Sequence, residues 1–187
     1  MRRISIATIP LWGVYPIGEK RSPRIASRSP MKITEAIAAE HAMLLSRFAE
    51  VEQVLPRLKS PAEVRAMAAV VEGVLGDHAD LETNLAFVPL DRALRDDGRL
   101  ARLAQAHQEI DDRLRQVRRA VTCAEARRLL RAALDASRDH FRDEERSLFP
   151  AIERALKAKD LIALGESFQR SRRVAARPDK QAVLVAR

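Results

Sequence analysis

Three of the four histidines in this chain, His78, His107 and His140, are each followed four residues later by a carboxylate: Glu82, Asp111 and Glu144. Positions four apart lie one above the other on a helix, so each pair presents an imidazole and an acid on one face. With 26 Asp and Glu among 187 residues, chance would place three such acids after four histidines only roughly 1 % of the time. The fourth histidine, His41, has no such acid and lies in an upstream helical segment. One histidine on each of four helices, three with an acid one turn on, is the pattern a metal site in a bundle core requires. Neutral imidazoles suit iron, zinc and copper, and carboxylates suit harder ions and can bridge two of them. Donors of both kinds in this number exceed the needs of one tetrahedral zinc. Two irons fit better, with Glu82 and Glu144 bridging and the histidines as terminal ligands.

Four helices must carry these residues. The first is expected over about 33–55, where Ile33, Ile37, Leu44, Leu45, Phe48 and Val51 form an apolar stripe that includes His41 and ends at Pro56. Ser60, Pro61 and Glu63 form a capping box that opens a second helix. It runs to about Phe87 before Pro89, with Val64, Met67, Val71, Val74, Leu75, His78, Leu81, Glu82 and Leu85 on its stripe. A polar hinge at 95–98 precedes a third helix over about 99–120, whose stripe carries Leu103, His107, Ile110, Asp111 and Leu114. Thr122 and Glu125 repeat the capping pattern and open the fourth, with Leu129, Ala133, Ala136, His140, Glu144 and Leu148 facing inward. Pro150 starts one further turn, and Asp160 caps a short closing helix to about Phe168. Each histidine and its acid continue a buried stripe, where a carboxylate without a positive partner is costly and a cation is one remedy. Short connections predict an all-α, up-down-up-down antiparallel four-helix bundle with a short C-terminal extra helix.

The net charge of +8 resembles a nucleic-acid signal until it is divided along the chain. Residues 1–30 hold six Lys and Arg against one acid, and residues 166–187 hold six against two. Residues 31–165 therefore keep 34 − 12 = 22 basic and 26 − 3 = 23 acidic residues, which gives the central domain no case for binding a phosphate backbone. The domains expected are a basic Pro/Ser-rich extension over 1–30, disordered and with Met31 as an alternative translation start, the bundle over 31–165, and a basic tail over 166–187. One cysteine, Cys123 near a helix start, rules out an intrachain disulfide; it is read as a small buried residue or a redox handle. No apolar run reaches the length of a membrane span, and the broken opening segment lacks a clear cleavage site, so a cytoplasmic location is expected.

Four sequence blocks carry a resemblance to a known family: AEHAMLL around His41, DHADLE with His78 and Glu82, AHQEID around His107, and HFRDEERSLFP with His140 and Glu144. Residues of about 33–165 resemble a hemerythrin-like domain of the HHE cation-binding family. The resemblance implies a non-haem di-iron centre, oxo- or hydroxo-bridged, that takes dioxygen or a related small oxidant, with His41, His78, Glu82, His107, Asp111, His140 and Glu144 as its metal residues. It also exposes a departure. Oxygen-carrying hemerythrins place a second histidine one turn after the third-helix histidine, and this chain has Asp111 there. An anion at that point stabilises ferric over ferrous iron, which counts against reversible oxygen carriage and toward redox or sensing roles.

Asp111 is read as a direct ligand, as a ligand through water, or as a partner that orients His107. Glu145 is the alternative to Glu144 as bridging acid. Glu40, Glu109, Asp112 and Asp143 fall off the stripes and are expected in solvent, with Arg142 and Arg146 as surface partners for acids. The function expected is binding of dioxygen, nitric oxide or peroxide in sensing, scavenging or stress response. The alternatives are a redox di-iron enzyme, consuming peroxide or repairing iron–sulfur clusters, and an iron-storing bundle. A radical relay is disfavoured, because Trp12 and Tyr15 both precede the bundle.

Overall fold

The structure, a computed structural model, describes residues 30–87 and 99–175. The expected N-terminal extension, Trp12, Tyr15, Pro89, the hinge at 95–98 and the last twelve residues lie outside this range. The described residues are helical throughout apart from short connections, with no strand among them. We label the helices α1 (Ile33–Val54), α2 (Pro61–Glu82), α3 (Arg99–Arg119), α4 (Cys123–Asp143), α5 (Phe149–Ala155) and α6 (Ala158–Ala175). The closing helix α6 therefore continues past the expected Phe168 into the basic segment, because Leu161 and Phe168 bury against the rest of the fold and anchor it.

The starts of the helices follow from local chemistry. Ser60 Oγ accepts from the Glu63 N–H at 3.2 Å, and Glu63 Oε2 accepts from the Ser60 N–H at 3.2 Å, a reciprocal box with Pro61 in the first turn. Thr122 Oγ1 accepts from the Glu125 N–H at 3.2 Å, but Glu125 Oε2 takes the N–H of Val121 at 3.1 Å and not that of the cap. Pro56 ends α1 in a single 3-10 turn, Leu55–Arg57. Cys123, half-buried, donates its thiol to the Leu58 carbonyl at 3.4 Å and ties the α1–α2 connection to the start of α4.

Apolar packing divides into two clusters with the histidines between them. One contains Leu44, Phe48, Leu75, Ile110, Leu134 and Phe141; the other contains Ile37, Ala86, Leu103, Leu148, Phe149 and Phe168. Along α1 the order is Ile37, His41, Leu44, and along α2 it is Leu75, His78, Glu82, Ala86. On α3 it is Leu103, His107, Ile110, and on α4 Leu134, His140, Leu148. Successive helices thus cross one polar layer in alternating directions, with an apolar cluster on either side. Leu45 and Val74, expected on the inward stripes, are exposed.

Two irregular turns occur at this layer. The chain widens into π-helical turns at Thr83–Phe87, directly after Glu82, and at Glu144–Leu148. In a regular α-helix each four-residue step drifts about 40° around the axis, so Leu148 would stand about 80° round from His140, toward the edge of a core-facing stripe about 100° wide. Closing a turn over five residues cancels that drift, and Glu144 and Leu148 are both fully buried.

Candidate metal centre

His41, His78, Glu82 and Glu144 form one group, and Glu82, His107, His140 and Glu144 a second; within each, the candidate ligand atoms all lie within 4.8 Å of one another. The two groups share both carboxylates, Glu82 and Glu144, and each adds two imidazoles of its own. Glu144 Oε2 lies 3.4 Å from His41 Nε2, and its other oxygen lies 3.1 Å from His140 Nε2. Glu82 Oε2 lies 3.8 Å from His78 Nε2 and 3.6 Å from His107 Nε2. The imidazole rings pair within each group, with centroids 5.0 Å apart for His41 and His78 and 4.4 Å apart for His107 and His140.

Whether these residues suit a cation is tested by their unmet needs. The Nε2 atoms of His41, His78 and His140 and both oxygens of Glu82 and of Glu144 are buried and make no hydrogen bond. Buried polar atoms left this way cost about 1–3 kcal/mol each, and so many in one layer call for a common partner. Spacings of 3.1–3.8 Å match those between neighbouring ligands on one ion, with bonds of about 2.0–2.2 Å. The residues fit a pair of cations.

The protonation pattern without metal points the same way. Burial pushes the Glu82 carboxyl up, and the neighbouring Glu144 charge pushes it further. For Glu144, burial acts upward, but the imidazoles of His140 and His41 outweigh it and hold the group down to about 2. Burial alone would lower His41 and His107; the acids facing them, Glu144 and Glu145 for His41 and Glu82 for His107, raise both instead. Protons here occupy the places that a bound cation would compete for.

Six of the seven expected site residues meet in this layer. Asp111 is exposed and belongs to neither group. Its helix α3 is regular to Arg119, as α2 is from His78 to Glu82, so the spacing alone does not bring an acid inward. Asp111 does line a pocket of about 130 Å³, together with Gly76, His78, Ala79, His107 and His140, and its charge helps to raise His107. We therefore expect Asp111→Ala to keep the metal stoichiometry of the native protein. A lost ion, measured by elemental analysis, would place Asp111 among the ligands.

Phe141 goes unnoticed in the sequence, and Glu145 and Glu40 take places other than those expected of them. Phe141 stacks flat on His41, with centroids 4.1 Å apart and planes 9° apart, and meets His78 edge-on at 5.3 Å. Glu145 accepts from His41 Nδ1 at 2.9 Å while remaining 46 % exposed. Glu40, expected in solvent, is buried, and its Oε2 accepts from His78 Nδ1 at 3.4 Å. Regular helical spacing places Glu40 off the inward stripe of α1, and α6 meets it there through Arg172. Glu109, Asp112 and Asp143 are exposed and paired with arginines on their own helices, and Arg142 and Arg146 pair with Asp139 and Asp143.

Such a bundle, with a buried layer of imidazoles and shared carboxylates, belongs to the class of helical cation-binding proteins. The model of the hemerythrin HHE cation-binding domain matches residues 32–152, and the chain belongs to that family. Searches of curated proteins and of solved structures find no match. No helix among the described residues is long and apolar enough to cross a membrane.

Proposed function

We propose that this chain is a non-haem di-iron protein that binds dioxygen, nitric oxide or peroxide, acting in sensing, scavenging or stress response. The observation that carries this reading is the pair of ligand groups that share Glu82 and Glu144. His41 and His78 would hold one iron, His107 and His140 the other, with both acids between them. Mixed nitrogen and oxygen donors suit iron. When bound, such a pair supplies reversible redox chemistry and a position open to a small ligand.

The protein supplies access and selection. The pocket of about 130 Å³ beside His78, His107 and His140 has room for a few water-sized molecules, each of about 30 Å³ in the liquid. Diatomic gases and peroxide fit this space. Gly76 and Ala79 keep its wall free of bulk. Asp111, exposed at this opening, adds negative charge next to His107. That charge favours the ferric state and supports redox or sensing use over reversible oxygen carriage, and it gives the peroxide-consuming alternative its one specific support.

Anaerobic reconstitution with ferrous iron tests the proposal. About two irons per chain are expected, as a shared-carboxylate pair requires, with near-ultraviolet charge-transfer absorption that responds to oxygen, nitric oxide or peroxide. Spectra that reverse on degassing favour binding, and steady peroxide turnover favours catalysis. Colourless, iron-free protein after this treatment would remove both.

A further inference from the structure

We propose that Arg172, on the closing helix and outside the matched family region, is a positioning residue that sets His78 through Glu40. The inference rests on the metal-binding reading of His78 given above. Glu40 bridges two elements with its two oxygens: Oε1 pairs with the guanidinium of Arg172 on α6, and Oε2 accepts from His78 Nδ1 on α2 at 3.4 Å. Fixing the N–H on Nδ1 leaves Nε2, the nitrogen that faces Glu82, as the lone-pair donor.

Glu40 and Glu145 play matching parts, since each backs the far nitrogen of one imidazole in the same ligand group. Their surroundings differ. The Glu145 side chain is 46 % exposed and water stabilises it, whereas that of Glu40 is 7 % exposed. A carboxylate that dry needs a cation with good geometry, and Arg172 is the basic side chain paired with it among the described residues. Arg172 is itself held in place, with its guanidinium 5.7 Å from the ring centroid of Phe168 one turn earlier. Helix α6 thereby becomes part of the His41/His78 half of the centre. In the other half, His140 Nδ1 makes no hydrogen bond, so the two cation positions differ in how firmly their imidazoles are oriented.

The test uses the full chain with Arg172→Gln, Arg172→Lys, Glu40→Gln and the Arg172→Gln/Glu40→Gln double variant. Iron release to a chelator is followed alongside nitrogen-15 spectra of the imidazoles in metal-free protein. Arg172→Gln is expected to bind both irons but to release one of them about tenfold faster, the usual scale for losing an outer partner of a ligand histidine. Arg172→Lys should recover most of the native rate. The effect should vanish in the Glu40→Gln background, which a merely structural role for α6 would not produce. In metal-free protein the His78 Nδ1–H signal should be protected from exchange in the native chain and lost in Arg172→Gln. Native release kinetics with an unchanged Nδ1–H signal in Arg172→Gln would overturn the proposal while leaving the di-iron reading intact. Failure of the native chain to take up iron would instead overturn the di-iron reading, and the Nδ1–H signal would still judge the Arg172–Glu40–His78 link.

Discussion

Glu144→Gln is expected to empty both cation positions at once. Its two oxygens face His41 on one side and His140 on the other, and it belongs to both ligand groups. The amide keeps the shape but removes the negative charge, leaving Glu82 as the only anion against two divalent ions. Bound iron should fall from about two per chain to well below one, with the near-ultraviolet absorption lost. Because metal binding free energy is folding free energy in such a site, the melting temperature of the as-prepared protein should also drop, by roughly 10 °C if about 3–5 kcal/mol is lost. Glu145→Gln provides the contrast. Glu145 faces His41 Nδ1, the nitrogen turned away from the cluster, so this variant should keep both ions. A Glu144→Gln protein with full iron content, or a Glu145→Gln protein with none, would assign the bridge to Glu145.

Gly165→Val is expected to detach the closing helix. Even the Cβ of an alanine at Gly165 would lie 2.1 Å from the Met31 carbonyl oxygen and 2.8 Å from the Lys32 carbonyl carbon, both backbone atoms. Side chains can rotate away, but a backbone cannot, so α6 must move off the start of α1. Helix propensity would favour a residue other than glycine by less than about 1 kcal/mol, whereas overpacking of this kind costs about 1–3 kcal/mol or more. The clash wins. Melting should fall by roughly 5 °C or more, and the pairing of Arg172 with Glu40 should go with the displaced helix. Gly73→Ala makes the control, since a Cβ there meets nothing within 4 Å; it should raise stability slightly through helix propensity. Equal melting of Gly165→Val and the native chain would show that α6 does not pack as described.

The helices and their four histidines were legible in the chain because the signals are local. Capping at Ser60 and Thr122, proline at 56 and 61, and apolar residues at three- and four-residue intervals act within one or two turns. The acids were less legible. All three stand four residues after a histidine, yet Glu82 and Glu144 enter the core and Asp111 does not. The step from histidine to acid is regular α-helix in all three, so the local winding does not separate them; their surroundings in the folded bundle do.

Sequence by itself determined that this protein is a helical bundle with imidazoles and acids on its buried stripes, since amphipathic periodicity and hydrogen-bonded caps are properties of neighbouring residues. Glu82 and Glu144 are already the shared acids expected from the sequence; the tertiary structure alone decided that Asp111 stands outside both groups of candidate ligands and that Glu40 is buried against Arg172. Those outcomes depend on how helices distant in the chain approach one another, as where Arg172 of α6 meets Glu40 of α1.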